Sequence, residues 1–149
     1  MVCIAAAAGS WVSQGQGLGL VLNTNEWNMG TVIVHGVSDT WLRSPGYFCV
    51  SNDGAAPARI IISVSNSTPS GWAAGDRAGT NLFCMLYSPG ACSPVPRYSA
   101  IAPAGTILTN SLDTNSVMRF DMQFRAPTAS EHTGIEQQIQ VTVTAQEVE

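Results

Sequence analysis

The residues from Val117 to Arg125 alternate without a slip. Met118, Phe120, Met122 and Phe124 fall on one side, and Val117, Arg119, Asp121, Gln123 and Arg125 on the other. A period of two is the mark of extended backbone, because successive side chains of a strand point to opposite faces. This spacing predicts one buried face and one face in solvent. Arg119, Asp121 and Arg125 share the wet face and can pair there, but exposed pairs contribute only about 0–1 kcal/mol. Residues 136–148 repeat the pattern, with Ile139, Val141, Val143 and Ala145 inward and Gln138, Gln140, Thr142 and Thr144 outward. No segment sustains a helical period, so the chain is all-β.

The stretch Tyr47–Trp72 is the second anchor. Phe48 and Val50 alternate with Tyr47, Cys49 and Ser51, and Asn52-Asp53-Gly54 is a turn, since Asn, Asp and Gly tolerate left-handed backbone. Ile60-Ile61-Ile62 then leads into Ser63-Val64-Ser65, a β-branched run that suits a pleated sheet. Before it, Leu18, Leu20 and Leu22 share a face at strand spacing, and Trp27–Val34 is a strand with Gly30 at a bulge or bend. After it, residues 73–81 form a Gly-rich polar loop, and Leu82–Tyr87 is apolar on both faces, as in a strand covered on both sides or held in a subunit contact. Residues 88–96 are turn and loop, and 98–102 and 105–112 are weaker strands around Pro103. About nine short strands separated by turns predict an antiparallel β-sandwich, Ig-like or jelly-roll, over residues 23–149, with residues 1–22 as an N-terminal extended arm.

The 149 residues favour one domain with a real core. Only 11% of them are charged, and the six basic residues are all arginine. An ordinary soluble domain carries roughly a quarter of its residues as charges. The surface is therefore built from Ser, Thr, Asn, Gln and Gly, and no lysine guards the sheet edges. A surface so weakly charged suits a chain that stacks on copies of itself. The arginines are scattered and the net charge is −4, which disfavours nucleic acid as a partner.

Met1–Ala8, MVCIAAAA, looks like the tail of a secretory apolar region but has no basic residue before it and is too short to span a bilayer. Ordering it requires burial, either on its own domain or on a neighbouring subunit as a donated strand. Met1, Val2, Ile4, Trp11, Val12, Leu18, Leu20 and Leu22 are the apolar residues expected at such a subunit contact. Cys84 and Cys92 flank Tyr87-Ser88-Pro89-Gly90, where a strand–turn–strand would bring them together, and Cys49 would then pair with Cys3. Other connectivities stay open, and an even cysteine count is consistent with an oxidising compartment.

Nothing points to catalysis. His35 and His132 lie far apart, and no Gly-x-Ser-x-Gly elbow is present. No Cys-x-x-Cys pair suggests a metal, the aspartates sit singly rather than in a calcium loop, and no cofactor motif occurs. Asn66-Ser67-Thr68 has the form of a glycosylation sequon, followed by Pro69. Trp11, Trp27, Trp41, Trp72, Tyr47, Tyr87 and Tyr98 would serve a sugar platform if exposed in a row, and core or subunit contacts otherwise.

Phe48-x-Val50-x-Asn52-x-Gly54-x-x-Pro57, Ile60–Ser65 and Pro69-x-Gly71-Trp72, with Ser111–Ser116, Phe120-x-Met122-x-Phe124-x-Ala126-Pro127 and Gln138–Ala145, resemble the pattern of Ig-like surface modules of bacteria and archaea. The likeness covers roughly residues 27–146, in motifs that carry turns and core rather than a site. Some such modules, similar to camelysin-type matrix fibres, polymerise by strand donation. The resemblance implies a non-enzymatic structural subunit of an extracellular filament or cell-surface layer, with copies of itself as partner. The cysteines depart from that pattern. A carbohydrate-binding module and a viral shell protein are the other readings, with glycans or other surface components as partners of the former.

Overall fold

The computed structural model of the chain describes residues 3–8, 18–24, 26–41, 46–69, 71–90, 96–132 and 134–148, the first of these segments in its backbone alone. Among the described residues every regular element is a strand: β1 (Cys3–Ala8), β2 (Leu20–Leu22), β3 (Glu26–Thr31), β4 (Val37–Asp39), β5 (Phe48–Asn52), β6 (Ala58–Val64), β7 (Ala73–Gly75), β8 (Leu82–Pro89), β9 (Ser99–Ala100), β10 (Thr106–Leu112), β11 (Val117–Arg125) and β12 (Gln137–Glu147). The two alternating runs are the longest strands, β11 and β12. β4 and β7 are too short and too weakly patterned to read in advance; β7 lies inside the stretch expected to be a polar loop.

The strands form two sheets. The first runs β10-β6-β12-β1-β3, and the second β2-β5-β11-β8-β7, with β4 pairing β11 and β9 pairing β8. Neither sheet is purely antiparallel, which corrects the expectation from sequence. β1 runs parallel to β12 and antiparallel to β3. The reason is geometric: β12 and β3 run in opposite directions, so a strand lying between them must be parallel to one of them. β7 is likewise parallel to β8. Within residues 1–22, β1 lies in the interior of the first sheet and β2 at the edge of the second.

Inward residues of both sheets share one buried cluster. Trp27 of β3 meets Phe48 of β5 edge to face at 6.5 Å, and Phe48 stacks on Phe120 of β11 at 5.6 Å. Farther along, Phe124 lies against both Phe83 and Trp72. Each such side chain contributes about 1.5–3 kcal/mol on burial. A cavity of about 20 Å³ remains where β2, β3, β5, β11 and β12 meet, lined by Leu22, Trp27, Phe48, Phe120, Met122, Val141 and Val143. Its lining is apolar, so it has nothing to hold a water in place.

Asn52 pins two of the places where the chain crosses between sheets. β5 passes to β6 and β10 passes to β11 at the same end of the molecule. The Asn52 side chain, fully buried, donates to the carbonyls of Ala56 at 2.9 Å and Leu112 at 2.8 Å, and its Oδ1 accepts from Gly54 N at 3.0 Å. Its own amide donates to Ser116 O, and its carbonyl accepts from Asn115 N. Asn115 takes φ 60°, a left-handed turn that asparagine tolerates.

Candidate self-association surfaces

The β1 seat is the first candidate. β1 pairs residue by residue with β12, Ile4 opposite Gln137 through Ala8 opposite Val141, and with β3, Cys3 opposite Thr31 through Ala7 opposite Glu26. Both neighbours would present open edges without it, and an open edge is a template for another strand. Of the residues expected at a subunit contact, Ile4 lies on β1; Met1, Val2, Trp11 and Val12 fall outside the described residues. Leu18 is buried, and Leu20 and Leu22 pack against the chain's own core.

The outer face of the first sheet is the second. Gln138, Gln140 and Gln146 of β12 are exposed and Thr142 and Thr144 half-buried, while their neighbours point into the core. Beside them stand Arg59, Ile61 and Ser63 of β6, with Glu26 and Asn28 on β3 and Ile107 on β10. Among the described outward side chains of these strands, Arg59 and Glu26 are the only charged groups short of Glu147 at the end of β12.

A third feature is an apolar end. Ile33 is 72% exposed and Val37 54%, with Val34, Leu82 and Ile135 also exposed. His35 N donates to Pro127 O, Cys3 lies opposite Thr31 and Ile4 opposite Gln137, which puts the 32–37 link, the end of β11 and the start of β12 at one end.

The wet face of β11 differs from expectation. Asp121 is buried, 3% exposed, and its Oδ1 accepts from Thr40 Oγ1 at 3.3 Å. The same Thr40 hydroxyl accepts from Met122 N at 2.9 Å, so the residue after β4 ties both Asp121 and the β11 backbone from the neighbouring strand position. Arg119 lies 4.8 Å over the Tyr47 ring, and Arg125 Nε donates to Gln123 Oε1. The three charges therefore do not pair with one another. One strand cannot reveal what lies over its outer face.

No disulfide is seen among the described residues. Cys49 and Cys84 carry free thiols. Cys92 and the side chain of Cys3 lie outside the described residues. Cys84 stands opposite Arg125, whereas Gly90 donates to Arg119 O at 2.8 Å, six residues along extended backbone, or roughly 20 Å. Cys49 alternates with the buried Phe48 and Val50, so it faces away from the first sheet, which holds Cys3. The Cys84 thiol lies 3.3 Å from Asp76 O, and burial pushes its pKa up, opposed by Arg125 and assisted by Asp76.

Asn66 is exposed, with its Oδ1 accepting from Ala74 N at 2.9 Å. Of the described aromatics, Trp27 and Trp72 are buried and Trp41 and Tyr47 exposed. His35 and His132 belong to separate loops, one bonded to Pro127 O and the other against Gly71. Among the described residues no cluster of His, Cys, Asp and Glu could hold a metal, and no helix is long and apolar enough to cross a membrane.

No family model matches the chain, and no curated protein matches it.

Proposed function

We infer that the chain is a structural, non-enzymatic subunit of an extracellular filament or surface assembly, an Ig-like or jelly-roll β-sandwich whose copies join through strand contacts. The observation that carries this reading is the position of β1. A first strand inserted between two later strands, parallel to the last of them, occupies a seat that the same strand of a neighbour fits equally. The sequence between β1 and β2 is rich in Gly, Ser and Gln. The weakly charged surface and the resemblance to fibre-forming surface modules support the same reading. The cysteines no longer contribute to the extracellular argument, which rests on composition and resemblance.

Electron microscopy of the purified chain tests it, with a variant lacking residues 1–10 alongside. Filaments from the full chain and dispersed particles from the variant are the expected result. Filaments unchanged by the deletion would remove β1 as the joint. Closed shells instead of open filaments would favour a capsid-type protein.

A glycan-binding reading has one observation in its favour: Trp41 and Tyr47 are exposed on neighbouring strand ends. Arg119 already covers one face of the Tyr47 ring, so the pair falls short of a row.

A further inference from the structure

We propose that the outer face of the first sheet is a second, lateral contact at which two copies meet face to face. This rests on the reading that copies associate, but it uses a surface distinct from the β1 seat. Gln138, Gln140, Thr142, Thr144 and Gln146 run down the centre of this face. Amide and hydroxyl side chains carry donor and acceptor together, whereas a carboxylate only accepts and a guanidinium only donates. A face built from them is complementary to itself, which a two-fold contact requires, because the same patch serves both partners. The charges that keep ordinary exposed sheets apart are nearly missing here: Arg59 lies on β6 and Glu26 on β3, on either side of β12.

The area is sufficient. Five strands about 4.8 Å apart, averaging some seven residues at about 3.3 Å each, offer roughly 550 Å² per copy. The pair then covers about 1,100 Å², above the roughly 1,000 Å² that separates specific interfaces from chance contacts. A sugar is the weaker occupant, since no aromatic ring lies on this face among the described residues.

The test uses the full chain and sedimentation equilibrium. Gln140 is exposed, so both Gln140→Glu and Gln140→Lys are compatible with the fold, which thermal unfolding checks. Each variant sets like charges against each other across the two-fold, and each should weaken association tenfold or more. Mixing the two variants should restore it, an outcome that misfolding cannot produce. Thr114→Glu, on an exposed turn away from the face, should behave as wild type. Wild-type association in both Gln140 variants overturns the lateral contact and leaves the subunit reading standing. A wild-type chain that stays single up to about 1 mM overturns both. Soluble polysaccharide binding lost in the Gln140 variants, with no self-association, replaces the copy by a glycan and overturns the proposal.

Discussion

At the scale of single residues, Asn52 and Ser67 answer buried polar groups with their side chains. Asn52 satisfies three partners with its side chain alone. Asn52→Ala deletes those bonds and leaves the buried Leu112 carbonyl and the partly buried Ala56 carbonyl unanswered, so we expect a loss of about 2–4 kcal/mol in urea unfolding, given about 1 kcal/mol per bond and more for an orphaned group. An unchanged midpoint would mean that the crossovers hold without it. Ser67 plays a similar part, donating to Gln137 Oε1 at 2.7 Å and accepting from Trp72 N at 3.0 Å, while Trp72 Nε1 donates to Ser130 Oγ. Cys84 gives a prediction in chemistry. Its buried thiol, with its pKa raised by burial, should resist alkylation in the native state at neutral pH and react on unfolding, while the partly exposed Cys49 labels first. Native labelling of Cys84 at the Cys49 rate would contradict its burial. The sign for stability follows from the same shift. Folding favours the neutral thiol, so its contribution is complete below the ordinary thiol pKa and is lost as pH rises through the higher folded value.

At the scale of elements, β11 is the strand on which the second sheet depends. It pairs with β5 and β4 along one side and β8 along the other, and places Phe120, Met122 and Phe124 in the core. Phe124→Ala removes a fully buried ring that touches two other aromatics, and should cost about 3–5 kcal/mol by thermal or denaturant unfolding. A cost under about 1 kcal/mol would mean that the two sheets are not held together there. β1 behaves differently. Its loss should expose the β12 and β3 edges and reverse when a peptide of residues 1–10 is supplied in excess, measured as regained thermal stability. A truncated chain indifferent to the peptide would show that the seat does not accept a strand from outside.

At the scale of the molecule, electrostatics is nearly silent. The ion pair of Arg77 with Asp76, at 3.9 Å, is almost fully exposed and worth little. Self-association should therefore change less than about threefold between 0.05 and 0.5 M salt, as read by sedimentation. A strong salt dependence would instead point to charged contacts. Much of the architecture was legible in the chain. The alternation of 117–125 and 136–148 specifies β11 and β12, the Asn52-Asp53-Gly54 turn ends β5, and the doubly apolar Leu82–Tyr87 lies in an interior strand with both faces covered. The parallel entry of β1 and the burial of Asp121 were not legible, because each depends on which distant segment lies alongside.

What the chain determines alone is local: extended backbone, which side of each strand is greasy, where it turns, and a surface nearly without charge. Those follow from side-chain period, turn chemistry and composition, which act over a few residues. Tertiary structure decides the order of strands in each sheet, the seat between β12 and β3, and the cover over Asp121. Pairing partners are chosen by the total burial they achieve together, and no single strand carries that sum in its own residues.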